Sequence, residues 1–240
     1  MKARTRVGGR APAGGSSTRS AGASSSEPSS PAGDGWQLTF FDDFAGSSLN
    51  KAWWGVYETR PNVFVRDGKL IVRSSYADGE WVSGGLSSAK AGSQKYGKWV
   101  IRYRVAKGSG VTYVALLYPA DGGWPPEIDF AEDHGGGDRS GIMGVTHWGA
   151  ENHQIVRVKE GDFSQWHEAG VIIEPAKVSY LLDGKVWATV NGAESAPAER
   201  MWLGLQTYVY KCADRPGCPN SNTPKVVDME VDWVARYARR

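Results

Sequence analysis

Trp99-Val100-Ile101-Arg102-Tyr103-Arg104-Val105 is the stretch that decides the fold class. Trp99, Ile101, Tyr103 and Val105 are large and apolar and alternate with Val100, Arg102 and Arg104, the period-2 pattern of a strand with one buried face. Val227, Met229, Val231 and Trp233 repeat the pattern near the C-terminus and predict a second strand of the same kind. Asp67-Gly68 and Asp183-Gly184 stand between alternating runs. A type I′ turn needs positive φ at both central residues, so these pairs predict hairpins and antiparallel neighbours. From Trp36 onward no long stretch has a convincing helical period. Residues 36–240 therefore read as an all-β fold, a two-sheet antiparallel β-sandwich or a barrel. A sandwich of curved sheets leaves a concave face, which suits an extended chain. No internal repeat or second domain is evident.

With 240 residues, 40% hydrophobic and 22% charged, the chain holds one sizeable core. A net charge of +2 gives no basic stripe, which argues against a nucleic-acid partner. No stretch approaches the roughly 18 apolar residues of a bilayer span, so no membrane partner is expected. The 31 Gly, 11 Trp and 10 Tyr suit many turns and flat aromatic faces. Most of these aromatics are expected in the core.

Residues 1–35 have Val7 as their only large aliphatic after Met1 and predict a disordered tail rich in Gly, Ser, Ala and Pro. The segment lacks the apolar core of a secretory signal peptide, and its Arg- and Ser-rich, acid-poor start is reminiscent of an organellar transit peptide. The compartment stays open. Cys212 and Cys218, in a Pro- and Asn-rich stretch, are spaced to close a short disulfide, with two free thiols as the alternative.

The chemistry concentrates in Trp124-Pro125-Pro126-Glu127-Ile128-Asp129-Phe130-Ala131-Glu132-Asp133. On a strand Glu127 and Asp129 share one face while Ile128 and Phe130 pack inward. Glu132 sits at an odd offset from Glu127 and would turn away, unless one residue bulges near Phe130 or Ala131. Three carboxylates on one face repel, which raises the pKa of at least one. Retaining hydrolysis of a β-glycoside needs that outcome, one carboxylate ionised to attack the anomeric carbon and a second protonated to assist the leaving oxygen. The competing reading is a strand whose solvent face happens to be acidic.

The order Glu127-Ile128-Asp129-Phe130-Ala131-Glu132, entered from Trp124-Pro125, resembles the bulged E-x-D-x-x-E signature of glycoside hydrolase family 16. The resemblance runs through Phe41-Asp42-Asp43-Phe44-Ala45-Gly46, Asp67-Gly68-Lys69-Leu70, Ser83-Gly84-Gly85-Leu86-Ser87-Ser88, Tyr96-Gly97-Lys98-Trp99, Thr146-His147-Trp148-Gly149, Trp166-His167, Leu182-Asp183-Gly184 and Val231-Asp232-Trp233-Val234. It implies a concanavalin A-like jelly roll and a retaining double displacement without a cofactor. Endo-action on a β-1,3- or mixed-linkage β-glucan is the usual activity, extracellular action is expected from that substrate class, and a monomer is the expected state. By the match Glu127 is the nucleophile, Asp129 its helper and Glu132 the acid/base. Some members hold a structural calcium ion with an aspartate of the last strand, which would make Asp232 a ligand. Many relatives also carry a Trp-Pro-Ala-Phe-Trp run before the catalytic strand. This chain reads Thr112-Tyr113-Val114-Ala115-Leu116 there, so that stacking surface is missing.

Trp124 and Trp148 flank the acidic cluster in sequence and are candidates to stack on sugar rings, against the alternative of core packing. His147 is a candidate to hydrogen-bond a sugar or Asp129, against a structural histidine. His134, His153 and His167 have no metal-ligand spacing, and no catalytic metal is expected. Competing functions are a non-catalytic sugar-binding jelly roll, which has no need of the clustered acids, and a transglycosylase of the same family.

Overall fold

The computed structural model describes residues 35–209 and 218–240, so the expected tail, Gly35 apart, lies outside the described residues. The first half of the chain forms β1 (Trp36–Asp42), β2 (Gly55–Val56), β3 (Val63–Arg66), β4 (Lys69–Ala77), β5 (Glu80–Ser83), β6 (Gly85–Ser87), β7 (Gly97–Val105) and β8 (Val111–Pro119). The second half forms β9 (Glu127–Asp133), β10 (Gly141–Trp148), β11 (His153–Glu160), β12 (His167–Glu174), β13 (Lys177–Leu182), β14 (Lys185–Asn191), β15 (Met201–Val209) and β16 (Val226–Arg239). One sheet runs β14-β13-β12-β7-β16-β4-β3, with β1 added on β16 and β5 on β4, and the other runs β11-β10-β9-β8-β15-β6-β2. Each of these pairings is antiparallel, as a sandwich of hairpins requires.

The alternation read from the sequence sets the core. In β7, Trp99, Ile101, Tyr103 and Val105 are all buried and meet Leu117, Ile128, Phe130 and Leu203 of the facing sheet in one cluster. Asp67-Gly68 and Asp183-Gly184 adopt positive φ at both residues and close the β3–β4 and β13–β14 hairpins, as expected.

One expectation fails. Trp233 does not continue the inward face of Val227, Met229 and Val231, because the register against β7 shifts between Val231 and Trp233. The bulge hands the inward position to Val234, and Trp233 instead joins Trp36, Ala235 and Tyr237 in a second cluster. A bulge inverts the pattern while leaving the composition apolar, so alternation alone does not reveal it.

Candidate active site

β9 lies between β8 and β10, inside the seven-stranded sheet. Against β8, Val114 pairs with Glu132 and Ala115 with Ala131, but Leu116 pairs with Asp129, leaving Phe130 as the extra residue. Against β10 the register slips at the same place, between Met143 and Val145. The bulge therefore falls where the spacing of the acids demands it. Its apolar residues, Phe130 and Ala131, are fully buried with Ile128 in the main core. Gly144 faces this bulge, and a Cβ there would sit 2.8 Å from the Tyr180 ring. The missing side chain lets Tyr180 of the other sheet pack beneath this part of the sheet, where its hydroxyl lies 2.8 Å from Thr146 Oγ1.

The acids are linked into a network. Glu127 and Asp129 are hydrogen-bonded to each other, an interaction that raises Glu127 and lowers Asp129. Across the strands His147 pairs with Glu127, and its Nε2 lies at hydrogen-bond distance, 3.1 Å, from Asp129 Oδ2. The second ring nitrogen, Nδ1, donates to Asn152 Oδ1 at 2.8 Å. Glu132 accepts from the Tyr208 hydroxyl at 3.1 Å.

Burial and mutual repulsion shift these groups. Burial, reinforced by the Asp129 charge, pushes Glu127 up to about 8. The same two causes push Glu132 up to about 7, with Tyr208 pulling the other way. Asp129 is also raised by burial, although His147 opposes the shift. Burial alone would lower His147, yet its bonds to Asp129 and Asn152 and the charges of Asp129 and Glu127 raise it to about 9. Near neutral pH the cluster thus keeps protons that exposed carboxyls would have lost.

A trough of about 410 Å³ opens beside Glu127, lined by Tyr57, Ser87, Leu116, Tyr118, Trp202 and Gln206. Trp202 packs against Tyr118 at 5.2 Å between ring centroids and against Tyr57 at 6.5 Å. The Tyr57 hydroxyl donates to Gln206 Oε1 at 3.2 Å, crossing above Gly85. Gly85 permits the crossing, because a Cβ there would lie 2.6 Å from the Tyr57 ring. The trough thus sets a cluster of tilted aromatic rings beside Glu127, with the polar side chains of Gln206 and Ser87 in its lining, a mix of apolar faces and hydrogen-bonding groups.

The model for glycosyl hydrolases family 16 matches residues 50–235. The chain belongs to this family. Among its relatives is the endo-1,3-1,4-beta-glycanase ExsH of Rhizobium meliloti (strain 1021), 26% identical over 162 residues that make up 66% of this chain and 34% of the relative. Among solved structures, the endo-beta-1,3-glucanase of Pyrococcus furiosus superposes with a TM-score of 0.75 at 23% identity, over 85% of this chain and 94% of that one. The catalytic domain of an endo-1,3-beta-glucanase (laminarinase) from Thermotoga petrophila RKU-1 gives 0.73 at 21% identity, over 85% and 98%. The chain spans 34% of the length of the first curated relatives it matches.

Within this family 16 domain the candidates named from sequence separate. Glu127, Asp129, Glu132 and His147 come together. Trp124, 46% exposed, stands with its ring 6.1 Å from that of His147 and is free to meet a ligand. Trp148 follows His147 directly on β10 and so projects to the opposite face, where its ring packs on His153 at 5.7 Å. That placement takes it away from the carboxylates and corrects its reading as a cleft residue.

Asp232 accepts from the Arg102 guanidinium, and Arg102 lies over the Trp166 ring at 4.8 Å. The residue named as a calcium ligand is thus paired with a cation in this structure. Among the described residues the one group of three metal-capable side chains is Glu127, Asp129 and His147, in which Asp129 is hydrogen-bonded to both of the others. Cys218 is disulfide-bonded, and Cys212 lies outside the described residues.

Tyr57, Tyr118, Trp202, Gln206 and Tyr208 escaped the sequence reading. Tyr118 stands at the end of β8, just before the acidic motif, whereas the others come from β15 and the loop after β2, far from that motif in the chain. The alternation of Trp202, Gln206 and Tyr208 with buried Leu203, Leu205 and Thr207 was the available signal.

Proposed function

We propose that this domain is an endo-acting, retaining β-glucanase that cleaves a β-1,3- or mixed-linkage β-glucan. The observation that carries the reading is the bulged strand with Glu127, Asp129 and Glu132 on one face, opening on an aromatic trough. The family assignment and the printed activities of the relatives support it. Glu127 borders the trough and attacks the anomeric carbon of the sugar held there. Asp129 takes or returns the proton of Glu127 through their shared hydrogen bond. Glu132, oriented by Tyr208, protonates the leaving oxygen and then deprotonates the water that releases the product. These groups supply nucleophile and proton within one chain, so the reaction needs no cofactor and no second copy.

The productive form has Glu127 ionised and Glu132 protonated. With Glu127 near 8 and Glu132 near 7, that form is the minor of the two singly protonated ones. The roles rest on reach rather than on this order. Below about 7 both groups hold protons and the nucleophile is lost, whereas above about 8 both are ionised and the acid is lost. A bell-shaped profile of kcat/KM in the free enzyme is expected, with its maximum between about 7 and 8 and limbs that belong to the pair. A maximum near pH 4.5 would refute it, since it would show that burial does not raise these groups.

Trp202→Ala removes the centre of the aromatic wall. A loss of about 1–2 kcal/mol of binding, roughly 5- to 30-fold in kcat/KM on a soluble β-glucan, is expected. Activity that is unchanged on every β-glucan would place the sugar elsewhere. The reading itself is tested by size analysis of products from laminarin, mixed-linkage glucan, galactan and xyloglucan. Rapid shortening of one β-glucan supports endo-action. Binding without any cleavage would favour a sugar-binding module, and products longer than the substrate would favour a transglycosylase.

A further inference from the structure

The Asn152 side chain makes an interaction that none of the catalytic roles uses. It sits in the turn between β10 and β11 at φ +50, and its Oδ1 accepts from His147 Nδ1 at 2.8 Å. The other nitrogen of the same ring, Nε2, lies 3.1 Å from Asp129 Oδ2. A neutral imidazole carries one proton. Since Oδ1 of an amide can only accept, that proton is held at Nδ1. Nε2 would then present a lone pair to Asp129, and the contact survives only if a second proton lies between them. The proton comes either from an imidazolium or from a protonated Asp129.

We propose that Asn152 is a positioning residue that, by fixing the His147 ring through Nδ1, keeps a proton in the His147–Asp129 contact. The inference rests on the roles proposed for the carboxylates. Its consequence for them is electrostatic. With that proton in place the His147–Asp129 pair bears no net charge, so Glu127 can ionise without a full negative charge beside it. If the ring turns, Asp129 either stays ionised against Glu127 or takes the Glu127 proton without a partner.

The groups facing His147 agree with this arrangement. From β9 they are Glu127, Asp129 and Glu132, all acidic, and each interacts electrostatically with His147. From β11 the residue opposite is Gln154, which is uncharged, and the neighbouring His153 packs on Trp148. The connecting turn adds exposed Glu151. No cation among these holds the ring, and Asn152 is the partner that fixes it from the side away from the acids.

Asn152 has positive φ, so its role as a turn residue must be separated from its role as an acceptor. Asn152→Gly keeps the turn, since glycine adopts this φ readily, and deletes the acceptor. Asn152→Asp tolerates the same φ and keeps an acceptor oxygen. For Asn152→Gly, kcat on a β-glucan that the parent enzyme cleaves is expected to fall about 10- to 100-fold, the loss typical when the outer partner of a functional histidine is removed. KM should change little, and thermal stability should stay near that of the parent. For Asn152→Asp, kcat should remain within about threefold of the parent.

The ¹⁵N chemical shifts of His147 supply a readout that needs no substrate. Nδ1 should be protonated across the neutral range in the parent and in Asn152→Asp, and should lose that signature in Asn152→Gly. If the glycine variant keeps full kcat, if both variants lose it equally, or if Nδ1 of the parent is unprotonated, the proposal is overturned. A parent protein with the predicted Nδ1 signature but no glucanase activity would instead refute the proposed function and leave the role of Asn152 in place.

Discussion

Glu127→Ala is expected to lower kcat/KM on a β-glucan by on the order of 10⁴-fold or more, because no other carboxylate on β9 replaces a lost nucleophile. Glu132→Ala should be equally inactive on the polysaccharide. It should nevertheless still form the glycosyl-enzyme with an aryl β-glycoside whose leaving group needs little protonation. Its intermediate would then wait for a base to activate water, and azide needs none. Added azide should accelerate turnover of Glu132→Ala and give a β-glycosyl azide, the product of two inversions. Direct attack on the substrate in Glu127→Ala would give the α-azide by one inversion. NMR of the anomeric centre decides the matter. An α-azide from Glu132→Ala, or normal turnover by Glu127→Ala without azide, would show that the two roles are wrongly assigned.

The second large effect is on stability. Arg139 is fully buried, and its guanidinium meets Asp133 at the end of β9, with Nη1 to Oδ1 at 2.8 Å. The same group donates to the Ala106 and Val111 carbonyls and lies over the Tyr113 ring. The approach to Asp133 is an ion pair, not an aligned hydrogen bond, so the attraction is chiefly that of two charges out of water. Arg139→Met keeps most of the volume but strands Asp133, whose carboxyl burial already raises. A loss of about 3–5 kcal/mol is expected, since the remaining charge keeps a backbone hydrogen bond from Gly135 but has lost its cation. Arg139→Met combined with Asp133→Asn should be less destabilised than the single change, because the orphaned charge is gone. Urea unfolding measures both. A loss below about 1 kcal/mol in the single variant would mean that solvent reaches Asp133 and that the pair does not anchor the catalytic strand.

The strand pattern, the two Asp-Gly hairpins and the three acids are local properties of this chain, and the sequence by itself determined them. Side chains alternate on any strand, and Glu127, Asp129 and Glu132 can share a face only through a bulge, which the structure places at Phe130. His147 as a partner of Asp129 was legible for a different reason, the family order of Thr146-His147-Trp148. Trp148, read in the same way, projects from the opposite face of the strand, because neighbours on a strand point apart. Asp232 was likewise named through the family resemblance, and its ion pair with Arg102 of β7 is set by strand order and not by distance along the chain.

Only the tertiary structure decided what surrounds the acids. Tyr57, Tyr118 and Trp202 form one wall because β2, β8 and β15 lie in one sheet, with β6 between β15 and β2. Tyr208 reaches Glu132 across 76 residues of chain, and Asn152 reaches His147 from a turn whose sequence carries no catalytic signal. The physical reason is that strand pairing brings together residues from opposite ends of the chain, and the register that does so depends on every strand in the sheet.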